Sequence, residues 1–402
     1  MRRCVLLGAV LVVLLGAGVA GAQSGSTLAH RLARALRVPQ VNRSLTAALA
    51  VDLRTGATTY ELHRSLPLEP ASNEKLLVTY AALVRLGTKF RFHTDVLGQG
   101  SGSGRIWHGS LVLKGYGDPT LSAHRLRVLV RELRGDGIRR VTGNIVGDET
   151  FFDRQRTVAG WKAGFEYAES PPLSALTVNR DVYKRHQSAH PALQAAIAFK
   201  NALNGAGVKV AGRCRVDKAW RSAVPLARVT SSPLLGILRF MDRQSDNFTA
   251  EMLLKQLGAL NGRGTSAAGA AVVRRVLRGA GIPEQSLRVV DGSGLSTLDR
   301  VTARTLVSLL QTAYEDPAVR APFFSTLAVS GKSGTLKDRL NDPPVRGHVH
   351  AKTGTTDEAS ALSGYVKRNY VFSVLHNGSP LASWWAKAAE DRFVTVLARA
   401  AR

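Results

Sequence analysis

Ser72 and Lys75, in the run Pro70-Ala71-Ser72-Asn73-Glu74-Lys75-Leu76-Leu77, pair a hydroxyl with an amine three positions later, and no other serine of the chain has a lysine at that spacing. A serine hydroxyl is a poor nucleophile until a neighbouring base takes its proton, and a neutral lysine amine within hydrogen-bond reach is such a base. The downstream stretch LLVTYAALVRLG carries apolar residues at helical spacing, which places Ser72 at or just inside a helix start. Positions i and i+3 then share one helix face. The simpler reading is that Ser72 only caps that helix.

Two further short runs favour chemistry. Ser245-Asp246-Asn247 and Lys352-Thr353-Gly354 follow in order, and S-x-x-K with S-D-N and K-T-G is the signature of class A β-lactamases and penicillin-binding proteins. Each residue type suits acyl transfer. Ser245 can pass a proton to a leaving amine, and Asn247 can hydrogen-bond a substrate amide. Lys352 adds positive potential that attracts a carboxylate and, by like-charge repulsion, helps keep Lys75 neutral. The backbone N–H groups of Ser72 and Thr355 are candidates for an oxyanion hole. Lys332-Ser333-Gly334 also reads lysine-hydroxyl-glycine, but only Lys352 follows an alternating strand pattern, Gly347-His348-Val349-His350-Ala351. Gly331-Lys332-Ser333 is no phosphate loop, because Thr326 stands where the motif needs its first glycine. His348 and His350 share a strand face, yet no acidic or cysteine partner accompanies them, so no metal site is expected. Asn247-Phe248-Thr249 is formally a glycosylation sequon, but a glycan there would fill the proposed cleft.

These residues need elements to hold them. Ser26 to Arg37 reads as an amphipathic helix, and Leu45–Asp52 with Thr58–Leu62 reads as a hairpin around Arg54-Thr55-Gly56-Ala57. Between Phe92 and Ala223 the texture changes to short strands and Gly-rich turns, with strands at Gly109–Lys114 and Val141–Val146 and helices at Ala123–Leu133 and Ala192–Leu203. That stretch is read as an inserted domain. Helices are expected over Asp246–Leu257, Ala267–Ala280, Ala303–Tyr314 and Trp384–Ala400, and antiparallel strands over Val349–Ala351 and Ala361–Leu375 about a turn at Gly354–Glu358. Helices on a sheet whose first and last strands come from distant parts of the chain give an α+β layer architecture. Residues 23–91 and 224–402 would form the catalytic domain and 92–223 the insertion.

The N-terminus, with Arg2-Arg3, an apolar run from Val5 to Val19 and Ala20-Gly21-Ala22, has the form of a cleaved signal peptide over residues 1–22. Export to a periplasm, a cell wall or the medium is the expectation. Cys4 would leave with that segment, so Cys214 has no partner for an internal disulfide and stability rests on core burial. The net charge of +26 falls to about +24 without Arg2 and Arg3. Such spread charge suits polyanions, whether nucleic acid, anionic cell-wall polymers or anionic lipid surfaces, and a merely solvated basic surface is the simpler reading. Nucleic acid is disfavoured, because no block of consecutive basic residues occurs and aromatics are only 6%.

With its motifs in place the chain resembles the low-molecular-mass penicillin-binding proteins of the D-alanyl-D-alanine carboxypeptidase/endopeptidase type, peptidase family S13. Beyond the trio, the resemblance rests on Gly115-Tyr116-Gly117-Asp118-Pro119-Thr120-Leu121, Val146-Gly147-Asp148-Glu149-Thr150-Phe151-Phe152-Asp153, Pro172-Leu173-Ser174-Ala175-Leu176, Asp291-Gly292-Ser293-Gly294-Leu295-Ser296 and Ser333-Gly334-Thr335-Leu336-Lys337-Asp338-Arg339. It implies a β-lactamase/transpeptidase-like catalytic domain with an inserted, mostly β domain, acting on peptidoglycan peptides that end in D-Ala and acylated by β-lactams, with no cofactor and no metal. By position Ser72 would be nucleophile and Lys75 base. Ser245 and Lys352 would relay a proton, Asn247 would anchor substrate, and Thr353, Gly354 and Thr355 would bind the terminal carboxylate. The insertion is shorter than in larger members of the family. A β-lactamase or serine esterase on the same fold, and a non-catalytic wall scaffold, are the competing readings.

Overall fold

A computed structural model of the chain describes residues 19–182 and 187–401. The expected signal peptide lies outside the described residues up to position 18, as does Cys4. In chain order the helices are α1 (Val19–Ala35), α2 (Glu74–Leu86), α3 (Ala123–Gly135), α4 (Pro191–Gly205), α5 (Leu234–Gln244), α6 (Asn247–Ala259), α7 (Ser266–Gly279), α8 (Ala303–Glu315), α9 (Pro317–Thr326) and α10 (Ser383–Ala400). Starts follow local chemistry. Ser122, Asp246, Thr265, Thr302 and Asp316 each accept a backbone N–H of the first turn of α3, α6, α7, α8 and α9, a contact worth about 1 kcal/mol apiece.

One sheet has the order β10-β11-β12-β13-β1-β2, with β1 (Thr46–Asp52), β2 (Thr58–Leu62), β10 (Ala328–Val329), β11 (Val349–Thr355), β12 (Ala359–Val366) and β13 (Tyr370–Asn377). All its pairings are antiparallel, and β1 lies against β13 with Thr46 opposite His376. Strand alternation sends Ala47, Leu49, Val51, Ala361, Tyr365, Val371 and Leu375 into a core shared with α2 and α5–α9. The intervening Ala48, Ala50, Leu362, Phe372 and Val374 pack on α1 and α10. The sheet is therefore covered by helices on both faces, as its unbroken apolar strands require.

Residues 93–230 build a second sheet with a core of its own. Its strands are β3 (His93–Ser103), β4 (Ile106–Gly115), β5 (Arg140–Val141), β6 (Ile145–Asp148), β7 (Lys209–Val210), β8 (Cys214–Val216) and β9 (Val224–Thr230), covered by α3 and α4. β3 pairs antiparallel with β4 and β9, whereas β5, β6, β7 and β8 join in parallel. The chain leaves and returns at one point: Ser231 N–H donates to Phe92 O at 2.9 Å and Phe92 N–H donates to Ser231 Oγ at 3.0 Å. β9 extends that sheet seven residues past the expected limit at Ala223.

Three features were not foreseen. α5 has no capping side chain at its start, and α9, although Asp316 caps it and Pro317 opens it, carries Pro322 inside it. The expected strand Ala361–Leu375 is two strands, β12 and β13, reversing through Lys367 and Arg368 at φ 51° and 58°. A tight hairpin needs φ > 0 at both positions. Without Gly or Asn there, that turn gave no signal.

Candidate active site

Ser72 sits in a single 3₁₀ turn, Ala71–Asn73, that runs directly into α2. No side chain caps either segment, so Ser72 is not serving as a helix cap. Ala71, at φ 45°, occupies the left-handed region that costs a non-glycine residue about 1 kcal/mol or more. Two glycines allow the rest of the site to close on this turn. A Cβ on Gly294 (φ 79°) would stand 1.8 Å from Ala71 O, and one on Gly354 would stand 3.0 Å from Ser72 N.

Lys75, in the first turn of α2, is wholly buried. Its Nζ lies 2.8 Å from Ser72 Oγ, 2.8 Å from Asn247 Oδ1 and 2.6 Å from the carbonyl oxygen of Ser293. Asn247 opens α6, and its amide is oriented by Nδ2 donating to Glu169 O at 3.0 Å. A neutral amine has two N–H donors, and Asn247 Oδ1 and Ser293 O accept both. The lone pair is left facing the Ser72 hydroxyl. Burial lowers the Lys75 pKa to about 8, against the raising influence of Asp291, Glu251, Asp246 and Asp242.

Strand alternation sends Val349 and Ala351 toward α10 and turns Lys352 the other way. Its buried Nζ donates to Ser245 Oγ at 2.8 Å and to Thr353 O at 2.8 Å. Ser245 ends α5 in the left-handed conformation, φ 57° and ψ 39°, which aims its hydroxyl across at the strand. The Lys352 pKa is held well below its usual value by burial first and by the charge of Lys75 second, with Asp242 opposing. The repulsion argued from sequence thus acts on Lys352, while for Lys75 burial leads. Thr353 Oγ1 donates to Thr335 Oγ1 at 2.7 Å, and Asn73 Nδ2 ties the nucleophile turn to Lys352 O at 3.2 Å.

Along β11, Ser330 N–H reaches Val349 O on the β10 side and Thr356 N–H reaches Ala359 O on the β12 side. Alternation then points the Thr355 N–H away from β12. β10 begins only at Ala328, opposite Ala351, and does not reach Thr355, so that N–H faces the cleft that Ser72 and Thr355 line. Ser72, Ser245, Asn247, Thr335, Thr353, Gly354, Thr355 and Glu169 line a cleft of about 250 Å³.

Sequence reasoning missed the supports of this site. Ser293 presents its carbonyl because its loop wraps buried carboxylates. Asp291 accepts from Trp161 Nε1 (2.8 Å), Ser293 Oγ (3.0 Å), Gly294 N (2.7 Å) and Ser296 N (2.8 Å), and Glu251 accepts from Gly292 N and Ser293 N. Burial raises the Glu251 pKa to about 8 and holds Glu74 and Asp299 well above the carboxylate range. The second-sheet region also sends a strap, residues 159–170, across the cleft mouth. Besides Trp161 and Glu169, it contributes Lys162, which pairs with Asp357 at 3.0 Å and with Glu358. Lys332 does not share the cleft lining. His350 stacks on Phe324 at 4.1 Å, with its pKa lowered to about 4 by burial, and His348 precedes β11. Among the described residues no cluster of His, Cys, Asp or Glu could hold a metal ion, and no helix is long and apolar enough to cross a membrane.

Comparison with known proteins bears on this arrangement. The profile of the D-Ala-D-Ala carboxypeptidase 3 (S13) family matches residues 28–189 and 184–400. A D-alanyl-D-alanine carboxypeptidase from Actinomadura sp. is 33% identical over 86% of this chain and 81% of its own length. Carboxypeptidase DacB from Mycolicibacterium smegmatis is 31% identical over 88% and 80%. The crystal structure of penicillin binding protein 4 (dacB) from Haemophilus influenzae superposes with a TM-score of 0.80 at 22% identity, covering 94% of this chain and 98% of that one. That protein has also been solved in complex with a β-lactam.

Proposed function

The chain belongs to the D-Ala-D-Ala carboxypeptidase 3 (S13) family, and from that premise we propose how its cleft works. The protein is a serine-type D-Ala-D-Ala carboxypeptidase, a hydrolase of peptidoglycan peptides. The observation that carries the mechanism is the 2.8 Å contact of Lys75 Nζ with Ser72 Oγ, with the other two neighbours of the amine both acceptors.

Ser72 Oγ attacks the carbonyl carbon of the penultimate D-Ala while its proton passes to the neutral Lys75 amine. The oxyanion lies between the N–H groups of Ser72 and Thr355. Breaking the peptide bond requires a proton on the departing D-Ala nitrogen, which Ser245, held by Lys352 Nζ, supplies, and the proton that Lys75 took from Ser72 replaces it, so that Lys75 is neutral again and Lys352 keeps its charge. Asn247 anchors the substrate amide, and the hydroxyls of Thr353 and Thr355 with the Lys352 charge bind the terminal carboxylate. Water then attacks the Ser72 ester while Lys75 takes its proton and hands it to the departing Ser72 Oγ, releasing the shortened peptide. The same steps cut a D-Ala cross-link when the leaving amine belongs to a second stem peptide. A β-lactam enters as the acyl donor, and its ring nitrogen stays tethered, which slows release.

Residues 23–91 and 231–402 form the catalytic unit in this proposal, with the insertion supplying the strap. Export by the segment 1–22 belongs to the same reading, as does attraction to anionic wall polymers. Incubation with benzylpenicillin, followed by intact-mass measurement, tests it. One adduct per chain is expected on the wild type and none on Ser72→Ala, with D-Ala release from a D-Ala-D-Ala peptide falling at least about 10⁴-fold in the variant. An adduct that persists on Ser72→Ala would defeat the assignment, and rapid penicillin turnover would favour a β-lactamase.

A further inference from the structure

The end of the insertion that carries β5 and β7 gathers basic side chains by backbone pairing. Ile106, Arg140 and Lys209 lie in register on three adjacent strands, β4, β5 and β7. Arg139 N–H and Arg140 N–H both donate to Arg105 O, and Lys209 N–H donates to Arg139 O, so these four residues form one knot. Arg134, in the last turn of α3, joins it because Arg139 Nη1 donates to Arg134 O at 2.7 Å. Arg105, Arg134, Arg140 and Lys209 are exposed. Among the described residues none of the five makes an ion pair, although the chain uses its carboxylates for pairs elsewhere. Two acids stand nearby. Glu132 accepts the Arg228 N–H, and Asp136 is exposed at the end of α3.

Like charges on adjacent strands oppose folding, and here register fixes Arg140 beside Lys209 while none of the five basic residues pairs with a carboxylate among the described residues. We propose that this knot, Arg105, Arg134, Arg139, Arg140 and Lys209, docks a phosphodiester polymer of the cell wall. The polymer's repeating anions would neutralise a row that the fold itself leaves uncompensated, and the insertion would hold the enzyme where its peptides are. None of the large apolar side chains exposed on this protein lies between positions 84 and 167, or at the Lys209 strand. A membrane surface would call for such side chains beside the basic ones. Trp107, in the neighbouring strand, is buried, so the patch also lacks the exposed aromatic platform that single-stranded nucleic acid uses. The choice of a wall polymer rests on the peptidoglycan reading of the active site.

The test measures binding of the full chain to immobilised poly(glycerol phosphate) across a salt series, with phosphatidylglycerol vesicles and single-stranded DNA as parallel arms. The variants are Arg105→Gln/Arg140→Gln/Lys209→Gln and a control of equal charge loss, Arg85→Gln/Lys89→Gln/Arg304→Gln. The knot variant is expected to bind at least tenfold more weakly at low salt and to flatten the plot of log affinity against log salt by roughly two. The control is expected to retain most of its affinity, and the melting temperature of the knot variant is expected to hold or rise. Equal weakening by both variants would overturn the proposal, leaving only diffuse charge. Failure of the wild type to bind the polymer, or binding confined to vesicles or DNA, would overturn it as well. Benzylpenicillin acylation of the same samples reports on the active-site reading separately and is expected to be unchanged in both variants.

Discussion

Two acceptors beside one amine, Asn247 Oδ1 and Ser293 O, set the character of Ser72. Because Lys75 must be neutral to take the serine proton and its pKa stands at about 8, the acylation rate is expected to climb with pH along a limb centred near 8. Stopped-flow acylation by a chromogenic β-lactam from pH 6 to 9.5 checks this, and a rate flat from pH 6 would exclude Lys75 as the titrating base. Several titratable groups face that amine: Asp291, Glu251, Glu74, Asp242 and Asp246 on the acidic side, with burial holding Glu251 and Glu74 toward their protonated forms, and Lys352 on the basic. Asp291→Asn removes a charge that raises the Lys75 pKa, so the limb is expected to move to lower pH. The plateau should fall about tenfold, because an amide nitrogen would face the donors of Trp161 and Ser296 and release the Ser293 loop. The motif residues were legible because their chemistry resides in side chains at fixed spacings. Ser293 and Glu169 act through backbone carbonyls, which any residue could supply, so the Asp291–Ser296 run could be matched to a family without showing that its carbonyl faces Lys75, and Glu169 gave no signal. Glu251 adds a stability test. Its pKa is raised to about 8 in the fold, against about 4.3 in an unfolded chain. The folded state therefore holds the extra proton between those values, and stability from this group is lost as pH rises through that window. Glu251→Gln mimics the protonated form, so its melting temperature relative to the wild type is expected to improve from pH 5 to pH 8.

At the scale of elements the site depends on close approach. The Ser72 turn, the Ser293 loop and β11 meet where two glycines leave no room for a methyl group. Gly294→Ala is expected to cost more than about 2 kcal/mol, adding left-handed strain to a clash with backbone. It should also abolish acylation, since the atom displaced is the carbonyl next to Ser72. Chemical denaturation and penicillin labelling report the two effects, and a stable, reactive variant would show that the contact relaxes elsewhere. The strap makes the opposite case. Its ion pair from Lys162 joins Asp357, three-quarters exposed, and Glu358, a surface contact worth at most about 1 kcal/mol. Lys162→Ala is expected to leave the melting temperature nearly unchanged while raising KM for peptide severalfold, because the cleft mouth loosens. Elements with clear apolar periodicity were readable, as α6, α7, α8 and the uncapped α10 show within a residue or two. α5 was not, having no capping side chain, and α9 was not despite its Asp316 cap, because Pro322 interrupts its helical pattern.

At the scale of the whole molecule, the insertion has a core and a sheet of its own, and its ends are hydrogen-bonded side by side at Phe92 and Ser231. The change to short strands near Phe92 was legible in composition. The parallel joins β4–β6 and β6–β8 were not, because a two- to four-residue strand carries too few positions to show its partner. Residues 93–230 nonetheless reach the candidate site. They send Trp161 to Asp291, Glu169 O to Asn247, Arg180 to Asp246 at 2.5 Å and Asp153 to the buried Lys255, and they share a small core of Phe152, Leu173, Ala175, Phe248 and Met252 with α6. These facts predict an asymmetry between the two halves when residues 93–230 are separated from the rest. The insertion, expressed alone, should unfold cooperatively, since its core and strand pairings lie within itself. The remaining chain, closed by a short turn from Phe92 to Ser231, should lose benzylpenicillin acylation by at least about 100-fold. Its Lys255 would be left buried without a counter-charge, and breaking a buried pair costs about 3–5 kcal/mol. Circular dichroism melts of each piece, with mass-detected acylation of the second, measure both halves of the prediction. A closed catalytic half that acylates at the wild-type rate would show that Ser72, Lys75, Ser245 and Lys352 suffice, and that the strap serves substrate choice alone.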